Sequence, residues 1–396
     1  MIDRVTRSKI FRNREILRPD YIPDTLPHRE NEIRKLAQIL IPAIRGERPS
    51  NVFIYGLTGT GKTAVTKYVL KNMYSKSRER GYDTFAYTYV NCRHSDTPYR
   101  VFADLAKSVN VKVPFTGLPT SEVFRRFLRG LDKLNIVFII VLDEIDFLVR
   151  KHGDDVLYKL VRANEILSKS KITLIGITND INFVETLDPR IRSSLGEEEI
   201  VFTPYDSYQL EDILRQRAKD AFYPDVIETG VIELCAALAA REHGDARRAL
   251  DLLRIAGEIA EREGAVKVTI DHVYKAREEL ERNRVKEIII TLPLHSKLVL
   301  LSIALQTKGT SYTTTGDTYN TYLELVKMLR IEKLTQRRVS DLINELDMLG
   351  IINARVVSRG RYGKTKIITL AVNYNIVIDA LAGDPRIAEI INNLRY

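Results

Sequence analysis

The stretch NVFIYGLTGTGKT, residues 51–63, decides how the rest of the sequence is interpreted. Its apolar start is rich in β-branched and aromatic residues, which predicts a short buried strand. A glycine-rich loop follows and ends in Lys62 and Thr63, and the next residues have the apolar spacing of a helix. Strand, loop and helix in this order satisfy the phosphate-loop pattern Gly-x-x-x-x-Gly-Lys-Thr.

Each type of residue in this loop has a chemical role in binding a nucleotide. The glycines let backbone N–H groups close around a β-phosphate at the helix N-terminus. Lys62 reaches the β- and γ-phosphate oxygens, and Thr63 offers its hydroxyl to Mg²⁺. We therefore predict a nucleotide site here. The residues of the loop that are predicted to bind the nucleotide are Gly56, Thr58, Gly59, Thr60, Gly61, Lys62, Thr63 and Ala64.

A second apolar run, IVFIIVL at residues 136–142, predicts a buried central strand. Asp143 and Glu144 follow it directly, at the strand end where α/β folds place their ligands. Asp143 is predicted to hold Mg²⁺ together with Thr63, and Glu144 to orient or deprotonate the attacking water. The alternative is that the two carboxylates only solubilise the end of a strand.

Two further candidates have weaker signals. Asn179 ends the next apolar strand, KITLIGITND, where its amide could sense a γ-phosphate. An asparagine at a strand end is also a common turn former. Arg190 and Arg192 follow a proline in LDPRIRSSLG, and an arginine that reaches a γ-phosphate stabilises transition-state charge, often from a neighbouring subunit. Arginines after a proline are also ordinary surface residues.

The second half of the chain has a different pattern. Four helical patterns with short breaks over residues 207–284 predict a small all-helical domain. Three more short helices, the last halted at Gly350, and two strand patterns predict a winged helix-turn-helix. The predicted fold is thus α/β, with a nucleotide-binding domain built on a parallel sheet over residues 1–203. A helical lid over residues 204–288 and a winged helix over residues 289–396 follow it.

The tripeptide Gly-Lys-Thr recurs in SRGRYGKTKI, residues 358–367, but it does not predict a second nucleotide site. Ser358 stands where the first glycine is required, and the loop joins strand to strand, so no helix N-terminus is there for a phosphate. Its glycines make a hairpin turn, and its basic residues are predicted to face nucleic-acid phosphates. The basic residues of this hairpin tip are Arg359, Arg361, Lys364 and Lys366. The alternative is a solvated hairpin.

The prediction of DNA binding also includes the third helix of the winged-helix domain, because base-reading helices present their first residues to the major groove. The predicted DNA-binding residues are Gln336, Arg337, Arg338, Arg359, Gly360, Arg361, Tyr362 and Lys364. Residues 290–396 contain 14 Lys and Arg against 9 Asp and Glu. The whole chain has a net charge of +9, which indicates either a polyanionic partner or merely good solubility.

The composition of the 396 residues excludes several classes of protein. No run of about eighteen apolar residues occurs, and the first residues contain no apolar stretch suited to export. We therefore expect a cytoplasmic, nucleoid-associated protein with no membrane partner. With only two cysteines, Cys92 and Cys235, a disulfide framework is excluded and a structural zinc site is not expected.

The phosphate-loop domain, helical lid and winged helix together resemble the archaeal replication initiators, the origin-recognition and cell-division-control type ATPases of the AAA+ superfamily. The resemblance covers essentially the whole chain. It implies ATP or ADP with Mg²⁺ as cofactors, double-stranded origin DNA as a partner, and slow hydrolysis that acts as a switch. It also implies another initiator subunit and the replicative helicase as partners.

The motifs of this family imply further site residues. FRNREILRPDYIPDTLPHRENEI resembles the segment that wraps the adenine, and TND, LDPRIRSSLG and GDARRALDLL resemble sensor one, the arginine finger and sensor two. The nucleotide-site residues that follow from the resemblance are Ile22, Pro27, Asn179, Arg190, Tyr205 and Arg247. Arg190 is preferred to Arg192 as the finger. Residues from about 97 to 130 resemble the helical insertion of initiators, which also touches DNA.

Two other classes share parts of this pattern. A clamp loader or a Holliday-junction motor has the same ATPase core and lid. A clamp loader, however, would end in a helical collar, and a motor would lack the adenine-wrapping segment. A nucleotide-gated transcription regulator also combines an ATPase with a winged helix. The gene of an initiator should lie beside an AT-rich origin with inverted repeats, and this observation separates the three classes.

Overall fold

A computed structural model describes residues 8–19, 21–114, 117–195, 198–308, 310–358 and 364–394. The chain divides into two compact units, and the division falls between Tyr274 and Lys275. No helix among the described residues is both long enough and apolar enough to cross a membrane.

The first unit is built on a five-stranded parallel sheet with the strand order β2-β3-β4-β1-β5. The strands are β1 (Val52–Gly56), β2 (Phe85–Asn91), β3 (Val137–Asp143), β4 (Lys171–Thr178) and β5 (Glu198–Phe202). Every residue of β3 is buried. Its successive side chains alternate between two apolar cores, because neighbouring residues of a strand point to opposite faces. The sheet is therefore covered on both faces, which confirms the predicted α/β class.

Helices cover this sheet and continue into the lid. The helices that begin in the first unit are α1 (Glu30–Leu40), α2 (Lys62–Glu79), α3 (Pro98–Ser108), α4 (Thr120–Asp132), α5 (Ile145–His152), α6 (Asp155–Val161), α7 (Pro189–Leu195), α8 (Ser207–Ala221), α9 (Val231–Arg241), α10 (Ala246–Arg262) and α11 (Ile270–Thr291). Short 3-10 helices lie at Arg14–Leu17, Ile41–Arg45, Arg162–Glu165 and Phe183–Thr186. The insertion predicted between β2 and β3 consists of α3 and α4, whose Phe102 and Phe124 rings lie 4.8 Å apart.

Helix α11 is longer than the helical pattern that was expected to end at residue 284. It continues to Thr291 because neither glycine nor proline occurs before Pro293.

The second unit is a winged helix, as predicted. Its helices are α12 (Leu294–Thr307), α13 (Thr315–Leu329), α14 (Gln336–Met348), α15 (Tyr374–Leu381) and α16 (Pro385–Leu394). Its antiparallel sheet has the order β6-β8-β7, with β6 (Thr313–Thr314), β7 (Ile352–Ser358) and β8 (Lys364–Leu370). Gly350, at φ +69°, follows the end of α14 in the left-handed conformation that often closes a helix. The sequence did not reveal β6, α15 or α16.

Candidate functional site

The glycine loop joins β1 to α2 in a conformation that only glycine permits. A Cβ atom at Gly56 would lie 2.3 Å from the carbonyl oxygen of Phe202 on the neighbouring strand β5. Gly61 has φ +93° at the start of α2, where a Cβ atom would lie 2.9 Å from the Tyr205 hydroxyl. The loop backbone therefore packs closely against its neighbours, and its shape is set by them.

Lys62 is buried at the first position of α2, with an exposed fraction of 5%. Its Nζ donates to the carbonyl oxygens of Gly56 at 2.9 Å and Leu57 at 2.7 Å. The pKa of Lys62 is lowered to about 8, chiefly by burial; the Asp143 carboxylate opposes this shift, and the nearby Arg247 contributes to it. The ammonium group is thus a poorly solvated cation at the mouth of the loop, which favours an anionic ligand.

Asp143 is the last residue of β3, and its carboxylate accepts hydrogen bonds on both oxygens. Oδ2 accepts from Thr63 Oγ1 at 2.7 Å and from the Tyr89 hydroxyl at 2.5 Å, and Oδ1 accepts from the backbone N–H of Glu144 at 2.9 Å. Burial and the Asp143 charge raise the pKa of Tyr89, so its hydroxyl remains a donor. The Thr63 hydroxyl and the Asp143 carboxylate are hard oxygen ligands that suit Mg²⁺.

Glu144 and Asn179 follow neighbouring strands. Glu144 has φ +54°, a conformation that is strained for a residue with a side chain and is often found at functional sites. Its carboxylate forms an ion pair with the Arg93 guanidinium. Asn179 comes directly after β4, which pairs with β3 and ends beside it. The parallel register therefore brings both predicted residues to the same edge of the sheet.

A cavity of about 330 Å³ lies over the glycine loop and gathers most of the predicted nucleotide residues. The predicted residues that line it are Ile22, Pro27, Gly59, Gly61, Lys62, Thr63, Ala64, Asp143, Glu144, Asn179, Tyr205 and Arg247. The other lining residues were not predicted individually, and they are Pro19, Tyr21, Pro23, Thr25, Leu26, Lys67, Tyr89, Asn91, Ile213, Gln216, Arg217, Ala246 and Leu250. Seven of them lie in the segment that resembles the adenine-wrapping one or in GDARRALDLL, whereas the three on lid helix α8 were not predicted in any form.

Lid helix α8 holds the segment before α1 in place. Buried Arg217 donates to the carbonyl oxygens of Ile16 at 3.0 Å and Tyr21 at 3.2 Å, and its guanidinium lies 4.9 Å from the centre of the Tyr21 ring. The rings of Phe11 and Phe222 lie 4.8 Å apart. In the sequence Arg217 is one more arginine in an amphipathic helix, so no local signal marks it.

Arg29 is a second buried cation, and it lies in the segment that resembles the adenine-wrapping one but was not predicted individually. Its Nε donates to the Tyr205 hydroxyl at 2.9 Å and to the carbonyl oxygen of Thr60 at 3.0 Å, and Nη2 donates to the carbonyl oxygen of Thr203 at 2.6 Å. Its guanidinium also stacks on Tyr205, 3.9 Å from the ring centre. Arg29 therefore joins the glycine loop to the connection between β5 and the lid, beside the predicted residue Tyr205.

Four of the residues predicted for the nucleotide site do not line this cavity. Gly56 ends β1, Thr58 is exposed, and Thr60 is buried with its Oγ1 donating to the carbonyl oxygen of Leu57 at 2.8 Å. Arg190 on α7 lines a separate cavity of about 550 Å³.

The cavity beside Arg190 lies towards the opposite edge of the sheet. It is also lined by Arg48, which precedes β1, and Asn164, which precedes β4. Because β1 and β4 are parallel, this cavity lies where the strands begin, whereas the glycine loop follows the point where β1 ends.

In the winged helix, the predicted helix residues Gln336, Arg337 and Arg338 are exposed in the first turn of α14. Arg338 Nη1 lies 4.0 Å from Asp341 and 3.9 Å from Glu345, so acidic residues of its own helix partly balance its charge. The predicted wing residues Arg359, Gly360, Arg361 and Tyr362 fall outside the described residues, and Lys364 begins β8.

Lys366, which was expected at the hairpin tip, lies within β8. Its ammonium group contacts α14.

A phosphate loop after β1, acidic residues after β3, a helical lid and a winged helix define an AAA+ ATPase joined to a winged-helix domain. Three family models match the same parts of the chain: "AAA domain" over residues 45–183, "Cdc6 AAA+ ATPase-type lid domain" over residues 211–278, and "CDC6, C terminal winged helix domain" over residues 287–380.

Proteins that are similar to this chain over almost its whole length identify its family. The chain is 59% identical over 392 residues to ORC1-type DNA replication protein 1 of Sulfurisphaera tokodaii, covering 98% of each chain. It is 54% identical to ORC1-type DNA replication protein 1 of Aeropyrum pernix, covering 97% of this chain and 98% of the relative. The solved structure of the Aeropyrum pernix ORC1 protein in complex with DNA superposes with a TM-score of 0.85 at 55% identity, covering 97% of this chain and 100% of that one. The chain belongs to the archaeal ORC1/Cdc6 family of DNA replication proteins, which confirms the predicted resemblance.

Proposed function

We propose that this chain initiates DNA replication by binding double-stranded origin DNA, with ATP binding and slow hydrolysis as a switch, and that it helps to load the replicative helicase. The observation that carries the proposal is that one chain combines the phosphate-loop cavity with an exposed basic first turn on α14. The Aeropyrum pernix ORC1 protein, which superposes on 97% of this chain, was solved in complex with DNA. In this proposal residues 1–203 bind the nucleotide, residues 204–288 form the lid and residues 289–396 bind DNA.

The proposed binding of nucleotide rests on the fit of the site to ATP and Mg²⁺. Thr63 and Asp143 already place two oxygen ligands 2.7 Å apart, and they would hold the metal. Lys62 would exchange its two neutral carbonyl partners for phosphate oxygens. The metal, when bound, neutralises charge that develops on the transferred phosphoryl group. Glu144 orients or deprotonates the attacking water, and Asn179 contacts the γ-phosphate side of the site.

The base end of the cavity is formed by the segment before α1 and by lid helices. Ile22 and Pro27 supply apolar surface, and Tyr205 and Arg247 approach from the lid side. Leu26, Ile213 and Leu250 add further apolar surface, which suits a flat purine ring.

Arg190 acts on the nucleotide of a neighbouring subunit. The support is its position on α7, in a cavity beside residues that precede β1 and β4. A residue at that edge of the sheet is poorly placed to reach the phosphates of its own loop, and the exposed side chain of Arg190 is accessible to another subunit. Another initiator subunit is therefore part of the proposal.

In the proposed complex with DNA, α14 lies in the major groove, with Gln336, Arg337 and Arg338 nearest the bases. The hairpin between β7 and β8, with its basic tip, lies along or in the adjacent minor groove. The insertion formed by α3 and α4 adds a second contact from the ATPase domain.

Footprinting of the purified protein across its own chromosome tests this function. We expect protection at AT-rich inverted repeats beside the gene, with an affinity that differs between the ATP and ADP states. DNA-stimulated ATP turnover at rates typical of metabolic enzymes, about 10 per second, would instead indicate a motor. Protection confined to promoters would indicate a transcription regulator.

A further inference from the structure

We propose that Lys366 is a positioning residue that fixes the recognition helix α14 against the wing strand β8, and that it does not bind a DNA phosphate. The inference rests on the proposed DNA binding. Lys366 Nζ donates to Ser340 Oγ at 2.9 Å, to the carbonyl oxygen of Ser340 at 3.2 Å and to Asn344 Oδ1 at 2.7 Å. All three acceptors belong to α14.

These contacts use the full donor capacity of the side chain. An ammonium group has three N–H donors, and Lys366 has three acceptors within hydrogen-bond distance. A phosphate could bind Nζ only if one of these hydrogen bonds were broken. Partial burial also lowers the pKa of Lys366, in keeping with a group that is directed into the protein and away from water.

The direction of the side chain follows from its place in the strand. Side chains two residues apart in a strand point to the same face. Ile368, two residues after Lys366, is fully buried in the core of this unit. Lys366 therefore points to the helical side of the sheet, but nearer the wing, where its long stem reaches across to α14.

The two acceptor residues lie one helical turn apart on a single face of α14, because residues i and i+4 are neighbours on a helix. A single lysine thus holds two successive turns of the helix and sets its angle relative to β8. The contact also orients the Asn344 side chain. Its carbonyl oxygen accepts from Lys366, so its amide N–H₂ group remains available as a hydrogen-bond donor. Asn344 is exposed, so this group is accessible to a ligand.

The test measures binding of the full-length protein to an origin duplex and to a scrambled duplex over a range of salt concentrations. For Lys366→Met, we expect the ratio of specific to non-specific affinity to fall about tenfold, the size of one mismatched base pair. The slope of log affinity against log salt should stay unchanged, because no phosphate contact is lost. If Lys366 bound a phosphate, the slope would instead shrink by about 0.9 and the ratio would be preserved.

Two further variants complete the test. Asn344→Ala removes one of the three acceptors without changing charge, and we expect it to lower the same ratio by a smaller factor at constant slope. If Lys366→Met does not fold, the Asn344→Ala variant alone tests the proposed positioning role. The triple variant Arg359→Ala, Arg361→Ala and Lys364→Ala is the contrast, because loss of phosphate contacts should reduce the slope. A parent protein that does not prefer the origin duplex would reject the proposed function, whereas a normal parent with a reduced slope for Lys366→Met would reject only this inference.

Discussion

Thr63 and Asp143, 80 residues apart in the chain, are joined by a hydrogen bond of 2.7 Å between Oγ1 and Oδ2. Tyr89 donates to the same carboxylate oxygen. The two proposed metal ligands therefore lie side by side, and a third residue orients one of them. Loss of such an outer partner typically lowers metal affinity by about 10- to 100-fold.

Tyr89→Phe should raise the Mg²⁺ concentration needed for half-maximal ADP binding by about tenfold. The physical reason is that Asp143 loses a donor that holds its carboxylate. Titration of a fluorescent ADP analogue against Mg²⁺ measures the effect, and binding in the presence of a chelator should not change. Tyr87→Phe is the matched control, since Tyr87 lies on the same strand and its ring packs 5.7 Å from that of Tyr74. Equal effects of the two substitutions would contradict the proposed role of Tyr89.

Lys62→Ala should abolish nucleotide binding, and Glu144→Gln should retain ATP without hydrolysing it. The first substitution removes the buried cation, and the second keeps the size of the side chain but removes its basic oxygen. Equilibrium dialysis followed by analysis of the bound nucleotide separates the two outcomes. Normal turnover by Glu144→Gln would show that another group activates the water.

The affinity for ADP should fall as the pH rises above about 8. Burial lowers the pKa of Lys62 to about 8 in the free protein, and a bound phosphate would raise it again. Binding therefore takes up a proton above that pH, and the affinity should decrease by up to about tenfold per pH unit. Calorimetry between pH 7 and pH 9.5 in buffers of different ionisation enthalpy measures this uptake. Lys62→Arg is the control, because an arginine stays charged and should give a flat profile.

Arg190→Ala should leave ATP binding unchanged and lower hydrolysis. Adding a Glu144→Gln subunit, which keeps its own Arg190, should partly restore hydrolysis at the sites of the Arg190 variant. Turnover of the mixed proteins over a range of ratios measures the effect. An isolated monomer that hydrolyses ATP normally, with or without Arg190, would show that the residue does not act between subunits.

Affinity for origin DNA should fall steeply with salt. If α14 and the wing both bind DNA, about six phosphate contacts form, and the affinity should fall about a thousandfold across a fourfold increase in salt concentration.

Replacing Arg359, Arg361 and Lys364 with Ala should weaken all DNA binding and reduce the slope of log affinity against log salt by about 2.7. Fluorescence anisotropy with labelled duplexes provides both quantities. A triple variant that binds as well as the parent at physiological salt would contradict the assignment of the wing.

Arg337→Ala should act differently from the wing variant. Its place in the first turn of α14 predicts a base contact, so discrimination between origin and scrambled duplexes should fall by a factor of about ten. General affinity and salt slope should change little. The same anisotropy series measures all three quantities.

Much of the nucleotide site could be predicted from sequence because its chemistry depends on contiguous residues. A phosphate loop needs its glycines, Lys62 and Thr63 at fixed spacing, and the proposed metal-binding carboxylate directly ends a second apolar run. Three helices and the hairpin of the winged helix were readable for the same reason, since each has its own period, whereas β6, α15 and α16 were not. These signals are local in the sequence, so they can be recognised without knowledge of how the chain packs.

The residues that the sequence did not reveal depend on distant partners. Arg29 and Arg217 have unremarkable neighbours in the chain, and they become important only where the glycine loop, the first segment and the lid meet. Lys366 was predicted to face DNA because charge near a hairpin tip is visible in sequence. Its partners Ser340 and Asn344 on another element are not.

The contact between Arg217 and Ile16 spans 201 residues, and this separation has a consequence for the order in which the proposed site can form during translation. The strand, loop and helix that bind phosphate are close together in the chain and are complete early in synthesis. The wall around the base needs helix α8, and the loop that this contact closes is long. A ribosome-bound chain that stops before α8 should therefore hold phosphates without distinguishing between bases. We expect base selectivity to arise only when the lid has been synthesised.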